Sequence, residues 1–403
     1  MLITDAQLDS MDVPQLGELT RKAARAMAAR QGAQVLLQLT ACLADLGRAM
    51  ADVRSSGWDA GQSWVWPGND DRVPPRPTRR HDALTLHAIT EDQPGQQWQA
   101  LFETVWPAYR AWYLSEGEDA RPDLGTCHRM LQRHMPELVP TWHRLVELTG
   151  GDELAARMLS QWDPPRFLPG CSQAVLTEPA PVLLRNYDYG PDLFERVVYS
   201  TAFTGRRVLG TSDCLWGLLD GMNDTGLAVS LAFGGRPGSA PGFGIPLVLR
   251  YLLQVATCTE HATGLLRELP VSMAYNLTMV DQAGRAATVF VAPGQQPELT
   301  DATVATNHHG RTPEHPDHAR RFRSVERQDL LIRSLADGVT ADELGQRLLH
   351  PPLHSTDYEN AFGTLYTAVY QPSAGVVEYL WPGDRWRRTF TSPSETKIVM
   401  LPE

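Results

Sequence analysis

The stretch Pro164-Pro-Arg-Phe-Leu-Pro-Gly-Cys-Ser-Gln173 separates two parts of the chain that differ in character. Before it, apolar residues recur at helical spacing over 5–53, 98–115 and 136–148, and Gly150-Gly151 is a stop signal after the last of these segments. After it, short β-type runs follow one another, separated by turn residues. The stretch therefore marks the boundary between a mostly helical region and a strand-rich one.

The second part of the chain has strands, then helices, then strands again, which indicates an α+β fold with helices packed on antiparallel sheets. Asp281-Gln-Ala-Gly284 has the composition of a hairpin turn. We predict helices at 245–258, 260–269, 319–336 and 341–349. We predict strands at 180–187, 196–203, 206–212, 226–233, 275–280, 286–291, 363–370, 376–381 and 387–391.

The composition excludes several classes of protein. The chain has 403 residues with 36 Lys+Arg against 47 Asp+Glu, a formal net charge of −11 that is too acidic for binding nucleic acid through the overall field. Its only lysines are Lys22 and Lys397, and neither stands in a Gly-Lys-Ser/Thr sequence. A Schiff-base cofactor enzyme and a P-loop protein are therefore disfavoured. We predict that the protein uses no cofactor.

No segment has the features of a targeting signal or a membrane span. Residues 1–10 lack a basic region followed by an apolar core, and the apolar runs are shorter than the ~20 residues of a membrane helix. Five dispersed cysteines without a Cys-x-x-Cys pair are typical of reduced thiols: Cys42, Cys127, Cys171, Cys214 and Cys258. We expect a cytoplasmic protein that binds neither nucleic acid nor a membrane.

The pair Gly170-Cys171 lies where the helical sequence gives way to β sequence, and it has two interpretations. Cys171 can be a nucleophile that is freed when its own preceding peptide bond is cut. The thiol would add to the Gly170 carbonyl, the acyl group would move from nitrogen to sulfur, and water would release a new α-amine. That amine, with a reference pKa of about 7.7–8.0, suits a base near neutral pH. Alternatively, Cys171 is one more buried cysteine.

Several motifs in register resemble the acyl-coenzyme A:6-aminopenicillanic acid acyltransferase family (peptidase family C45), which belongs to the N-terminal-nucleophile hydrolases. The resemblance covers residues 168–403 and implies a four-layer αββα sandwich, preceded here by a mostly helical region. The motifs are Gly170-Cys171-Ser172, Arg185-Asn-Tyr-Asp188, Gly221-Met-Asn-Asp-Thr-Gly-Leu-Ala-Val-Ser230, Gly244-Ile-Pro-Leu-Val-Leu-Arg250, Thr306-Asn-His308 and Gly363-Thr-Leu-Tyr366.

The resemblance also implies roles for individual residues. Cys171 would be the nucleophile and Gly170 the residue left behind at cleavage. Asp188 would bind the α-amine, and Arg185 would lie beside the thiol, where a positive charge lowers the pKa of a cysteine. Asn307 would face the oxyanion. Asn223 would either add a second donor or shape the turn before Gly226.

The sequence pattern divides the chain into four segments, and the resemblance implies a heterodimer after cleavage at the last boundary, with any higher oligomer left open. Residues 1–54 would be a helical N-terminal segment and residues 55–97 a Pro/Gly-rich linker with one strand near 84–89. Residues 98–170 would be a helical region at the end of the α-chain. Residues 171–403 would be the catalytic domain, the β-chain.

We predict a self-activated amidohydrolase that cleaves a linear amide bond of an acylated small molecule or peptide through an acyl-enzyme on Cys171. Two alternatives stay open: an acyltransferase that uses an amine acceptor, and an uncleaved binding protein for acylated small molecules. One departure from the family pattern is Thr367, where relatives often carry serine, so a substrate contact there is in doubt.

A histidine-rich stretch is the one candidate for a metal site, since His308, His309, His315 and His318 fall within 11 residues. Their spacing is not His-x-x-x-His on a helix, and prolines interrupt it at 313 and 316. We therefore predict no metal ion there and expect a solvated loop near the mouth of the site.

Overall fold

The computed structural model describes residues 83–166, 170–236 and 238–402. The predicted helical segment 1–54 and the first part of the predicted linker, 55–82, lie outside these ranges. Within them the helices are α1 Gln96–Tyr113, α2 Leu124–His134, α3 Val139–Leu148, α4 Glu153–Leu159, α5 Ile245–Val255, α6 Thr259–Leu266, α7 Pro316–Arg321, α8 Ser324–Ala336 and α9 Ala341–Leu348. Short 3₁₀ helices occur at Glu118–Ala120, Pro136–Leu138, Pro191–Leu193 and Pro372–Ala374.

The strands in the same ranges form two sheets. They are β1 Ala83–Thr90, β2 Gly170–Leu176, β3 Val182–Tyr189, β4 Val197–Thr201, β5 Val208–Asp213, β6 Gly217–Asn223, β7 Leu227–Phe233, β8 Tyr275–Asp281, β9 Ala286–Val291, β10 Glu298–Thr300, β11 Val304–Ala305, β12 Thr356–Asp357, β13 Phe362–Gln371, β14 Val376–Trp381, β15 Asp384–Thr389 and β16 Glu395–Met400. One sheet has the order β10-β9-β8-β7-β6-β5-β4-β1-β16, and the other has the order β11-β2-β3-β13-β14-β15, with β12 paired to β13.

The two sheets pack face to face, and helices cover them on both sides. Strands β2 and β3 lie against β7 and β8 of the other sheet. Helix α5 packs on β5, β6 and β7, whereas α8 and α9 pack on the smaller sheet at β2, β3, β11 and β13. The layers therefore run helix, sheet, sheet, helix, and the predicted α+β fold with an αββα sandwich is confirmed.

Helix α5 is buried on all sides because its sequence, Ile245-Pro-Leu-Val-Leu-Arg-Tyr-Leu-Leu-Gln-Val255, is apolar almost throughout. Strand β6 lets this helix come close through two glycines. A Cβ at Gly217 would lie 2.5 Å from Cβ of Pro246, and a Cβ at Gly221 would lie 2.9 Å from Cδ1 of Leu253. The glycine that opens the Gly221-Met-Asn motif is therefore a packing requirement of the helix–sheet interface.

Tryptophans tie the helices before Gly170 to the large sheet. The indole N–H of Trp98 in α1 donates to the backbone carbonyl of Leu215 at 2.9 Å, and that of Trp216 donates to the carbonyl of Leu159 at 2.8 Å. Both side chains are buried. Among the described residues no helix combines the length and the hydropathy that crossing a membrane requires.

Strand β1 is the strand predicted near residues 84–89 within the Pro/Gly-rich segment 55–97. Residues 83–97, the described part of that segment, contain a complete strand and the start of α1. Strand β1 pairs in parallel with β4 and antiparallel with β16, at one end of the larger sheet. The sheet that packs on β2, the strand of Cys171, therefore includes residues before position 171. The functional boundary at 170/171 remains a prediction.

Other differences from the sequence prediction have local causes. Strand β2 was missed because it is buried on both faces, so that polar and apolar residues do not alternate along it. Strand β6 was missed because its glycines and Asp220 are residues typical of turns. The single helix predicted at 319–336 is two helices, since Arg323 takes a left-handed conformation with φ of 48°.

Candidate active site

Cys171 lies near the start of β2, where its three polar groups are held by three different parts of the chain. Its backbone N–H donates to Oδ1 of Asn307 at 2.9 Å. Its Sγ accepts from Nη2 of Arg185 at 3.1 Å, and its carbonyl oxygen accepts from Nη1 of Arg327 at 2.7 Å. The residue is fully buried. This geometry fixes both the thiol and the peptide group that follows it.

Burial raises the pKa of the Cys171 thiol to about 11. The charges of Arg185 and Arg327 oppose this increase, whereas the carboxylate of Asp188 adds to it. In the continuous chain the thiol is therefore neutral at pH 7. A base close to Sγ is needed to make it a nucleophile.

Arg185 in β3 brings a positive charge to the thiol from the neighbouring strand. Its guanidinium is fully buried and donates to Cys171, to Oδ2 of Asp220, and to the hydroxyl of Tyr366 at 3.1 Å. The guanidinium carbon lies over the ring of Tyr187, 4.9 Å from its centroid. Arg185 therefore lies beside the thiol, where the sequence analysis expected it.

Asp188 lies opposite Gly170 in the pairing of β3 with β2. Its Oδ1 accepts from the hydroxyl of Thr364 at 2.7 Å, and its Oδ2 accepts from Nη1 of Arg327 at 3.2 Å. Burial raises the pKa of Asp188, and Arg327 and Thr364 oppose the increase. The single hydrogen on the Cys171 nitrogen points to Asn307, so a bond from that nitrogen to Asp188 requires the additional protons of a free α-amine.

Asn307 follows β11 and is held at both ends of its side chain. Its Oδ1 accepts from the Cys171 N–H and from Nη2 of Arg327 at 2.7 Å, and its Nδ2 donates to the Phe233 carbonyl at 3.2 Å. Its backbone N–H donates to Oγ of Ser324 at 2.8 Å. The amide group therefore lies beside Cys171, with its donor directed to strand β7.

Arg327 is the residue that connects the site and that the sequence analysis missed. It lies in the first turn of α8, is fully buried, and donates to Cys171, Ser172, Asp188 and Asn307 at 2.7 to 3.2 Å. A sequence signal exists, because Arg327 falls four residues before the buried Leu331, on the apolar face of its helix. A charged residue on that face indicates a buried partner.

Gly170 approaches an aromatic ring. A Cβ at this position would lie 2.9 Å from Cδ2 and Cε2 of Phe362 and 3.1 Å from Cβ of Asp188. The guanidinium of Arg327 lies 5.2 Å from the ring centroid of Phe362 on its face. Glycine is therefore required at 170 by the packing that also positions Arg327.

Two other polar residues from the sequence analysis serve the fold. The Nδ2 of Asn223 donates to the carbonyls of Leu253 and Ala256 at the end of α5, and its Oδ1 accepts from the backbone of Thr225 and Leu227. Of the two roles considered for Asn223, the structure supports the turn, because Oδ1 accepts from the backbone of the turn and both hydrogens of Nδ2 are donated to the end of α5.

Thr367 is also engaged within the fold. Its hydroxyl donates to Oδ1 of Asn186 at 2.7 Å, and the Nδ2 of Asn186 donates to the carbonyls of Leu348 and Leu353. Both Thr367 and Asn186 are buried. The hydroxyl at position 367 therefore links β13 to β3 and the end of α9.

The histidine-rich stretch is not one solvated loop. His308 is buried and contacts Oγ of Ser324 at 2.7 Å and Oε1 of Gln328 at 3.1 Å. His309 contacts Glu298, and His318 stacks on Phe322. In the described ranges no group of three or more potential metal ligands comes together. His308 thus supports the start of α8, next to Asn307.

A family model for the acyl-coenzyme A:6-aminopenicillanic acid acyl-transferases matches residues 175–386, more than half of the chain. The chain belongs to this family. The matched range includes Arg185, Asp188, Asn307 and Arg327. The resemblance predicted from the sequence motifs is confirmed at the level of the family.

Three solved structures are similar to the chain at low sequence identity. A mutant of the conjugated bile acid hydrolase from Clostridium perfringens has 12% identity over 58% of this chain and 97% of its own, with a TM-score of 0.39. Penicillin V acylase from Agrobacterium tumefaciens has 14% identity over 52% of this chain and 82% of its own, with a TM-score of 0.35. The Caenorhabditis elegans ortholog of N-acylethanolamine-hydrolyzing acid amidase has 15% identity over 51% of this chain and 93% of its own, with a TM-score of 0.38. No curated protein matches the chain by sequence.

Proposed function

We propose that the protein is a self-activated cysteine amidohydrolase that cleaves a linear amide bond of an acylated small molecule or peptide. The observation that carries the proposal is the set of contacts around Cys171. Its thiol, nitrogen and carbonyl oxygen are each bound by a different buried polar side chain, those of Arg185, Asn307 and Arg327. A merely structural cysteine needs none of these contacts.

Activation would begin with attack of the Cys171 thiol on the carbonyl carbon of Gly170. The C–S bond forms as the C–N bond breaks, and the thiol proton moves to the departing nitrogen. Water then cleaves the thioester, its oxygen joining the Gly170 carboxyl group and a proton returning to sulfur. The new α-amine has a reference pKa of about 7.7–8.0, which suits a base near neutral pH.

In the cut enzyme the α-amine would take the thiol proton, and the thiolate would attack the amide carbonyl of the substrate. Asp188, buried and beside Gly170 in the sheet, suits the ammonium form of the amine. Asn307 would supply a donor to the oxyanion by giving up its 3.2 Å bond to Phe233. The leaving amine takes the proton, and water then hydrolyses the acyl thioester.

A small, mostly apolar pocket lined by Trp112, Ile245, Met273 and Tyr275, among others, supports an apolar acyl group in the substrate. It is connected to the site through packing, because the ring of Tyr275 lies edge-on against that of Phe233 at 6.2 Å and the carbonyl of Phe233 binds Asn307. The closed cavity has a volume of only about 10 Å³, so an acyl chain would enter it only when the lining side chains move apart.

The test is an amidase assay with chromogenic amides of graded acyl length, on wild type and on Cys171→Ala. We expect hydrolysis by the wild type, best with apolar acyl groups, and none by Cys171→Ala. The matched control is Cys258→Ala, which replaces a half-exposed thiol and should keep full activity. Amidase activity in Cys171→Ala would contradict the proposal. An acyl-amine product formed only when an amine acceptor is added would assign the transferase alternative.

A further inference from the structure

We propose that Asp220 is a positioning residue that acts on the nucleophile Cys171 through Arg185. The inference rests on the proposed function, since it takes Cys171 as the reacting group. Asp220 lies in β6 of the larger sheet, whereas Arg185 and Cys171 lie in β3 and β2 of the smaller one. The Arg185–Asp220 ion pair therefore crosses between the two sheets behind the thiol, with both side chains fully buried.

Both carboxylate oxygens of Asp220 have donors. Oδ2 accepts from Arg185 and from the hydroxyl of Tyr366 at 2.6 Å, and Oδ1 accepts from the hydroxyl of Tyr370 at 2.5 Å. Burial raises the pKa of both tyrosines well above the usual value, and the charge of Asp220 raises it further. The phenols thus stay protonated, so that both hydroxyls and Arg185 all donate to the Asp220 side chain.

The Arg185–Asp220 pair determines how strongly the charge of Arg185 stabilises the Cys171 thiolate. The guanidinium lies between Cys171 Sγ, 3.1 Å from Nη2, and the carboxylate that binds Nη1. A cation already paired with an anion stabilises a neighbouring thiolate less than a free cation does. Asp220 therefore orients the guanidinium of Arg185 towards the sulfur. By pairing with that charge it also weakens the effect of Arg185 on the thiol pKa, so the thiol stays protonated until a base is present.

The substitution Asp220→Asn removes the charge while the hydrogen bonds can be kept. An asparagine oxygen in the place of Oδ2 still accepts from Arg185 and Tyr366. Its Nδ2, in the place of Oδ1, can donate to the hydroxyl oxygen of Tyr370. The Tyr370 hydroxyl can then donate its own hydrogen to the hydroxyl of Tyr379, which lies 3.2 Å away. The variant is thus close to isosteric with the wild type.

The test is a pH titration of the Cys171 thiolate, followed by its ultraviolet absorbance. At each pH, the absorbance of the same protein carrying Cys171→Ala is subtracted, so that only the signal of Cys171 remains. In Asp220→Asn we expect the thiol pKa to fall by about one unit or more, since the thiolate becomes the only anion facing Arg185. Asp224→Asn, an exposed carboxylate in the turn after β6, should change nothing.

A second pair of variants separates action through Arg185 from a general structural effect. Without the Arg185 guanidinium, the contact that connects Asp220 to the thiol is lost. The single variant Arg185→Met and the double variant Arg185→Met/Asp220→Leu should therefore have the same thiol pKa to within about half a unit. An unchanged or raised pKa in Asp220→Asn, or a difference within this second pair, would overturn the proposal. The titration needs no catalysis, so a failure of the amidase assay would leave this result readable.

Discussion

Nη1 of Arg327 lies 2.7 Å from the carbonyl oxygen of Cys171, although 156 residues separate the two in the chain. The same guanidinium binds Asp188 and Asn307. A single side chain from α8 therefore holds together the groups proposed to carry out the chemistry. The smaller sheet carries Cys171, and the helix layer that covers this sheet fixes the geometry around that residue.

Arg327→Lys tests that dependence. Lysine has one ammonium group and cannot reproduce the planar fork that reaches four acceptors, so we expect the cleavage after Gly170 to slow at least ~100-fold. The measurement is the fraction of cut chain over time. Arg323→Lys, four residues earlier and paired with the exposed Glu326, is the control and should cut at the wild-type rate. Equal rates for the two variants would remove Arg327 from the mechanism.

Gly170→Ala tests the packing of the cleavage site. The added Cβ would lie 2.9 Å from the ring of Phe362, so we expect a loss of about 1–3 kcal/mol in unfolding free energy and slower cleavage. Gly264→Ala in α6 is the matched control, because no atom lies within 4 Å of its Cβ and alanine favours a helix. Phe362→Leu should partly rescue Gly170→Ala. Denaturant unfolding would measure all three, and wild-type stability in Gly170→Ala would contradict the geometry.

Asn223→Ala separates two roles for this residue. Because Asn223 binds the end of α5 and the turn before β7, we expect about 1–3 kcal/mol less stability. We expect kcat to change less than about threefold, whereas loss of an oxyanion donor would lower it ~10²–10³-fold. A large loss of kcat with unchanged stability would show that Asn223 takes part in the chemistry.

A pH dependence of stability follows from the carboxyl pair Glu195 and Asp213. The hydroxyl of Tyr109, which has one hydrogen, lies 2.6 Å from Oε2 of Glu195 and 2.7 Å from Oδ1 of Asp213. One of these contacts therefore needs a protonated carboxyl group. Burial, followed by the charge of Glu195, raises the pKa of Asp213 to about 7.

The sign of the effect follows from linkage. The folded chain holds a proton on this pair at pH values where the unfolded chain, with an ordinary Asp pKa of about 3.9, has lost it. This contribution to stability is therefore greatest at acid pH and is lost as the pH rises through about 7. Denaturant unfolding from about pH 5 to about pH 8 should show the decrease, and Asp213→Asn should flatten it. The exposed Asp192→Asn is the control, and an unchanged slope in Asp213→Asn would contradict the assignment.

Much of the fold could be predicted because the signals are local. The apolar helix α5 and the hairpin around Asp281 were found from periodicity and turn composition. Strand β2, which carries Cys171, was missed because burial on both faces removes the alternation on which such predictions rest. A strand of that kind shows in sequence only through its motif, Gly170-Cys171-Ser172.

The candidate site could be predicted where its residues stand in a motif of the family. Arg185 and Asp188 lie in one short motif and face Cys171 or Gly170 from the adjacent strand, and Asn307 lies in another. Arg327 and Asp220 reach the same centre from α8 and from the opposite sheet. Their contribution depends on tertiary contacts between segments far apart in the chain, and motif spacing contains no record of these contacts.

The most direct test of the central claim, that Cys171 frees its own amine, is the intact mass of the purified full-length chain. We predict two species of 170 and 233 residues, the second beginning at Cys171, and a single uncut species of 403 residues for Cys171→Ala. A wild-type chain that stays uncut at 403 residues on incubation, or one that is cut at another bond, would contradict the account.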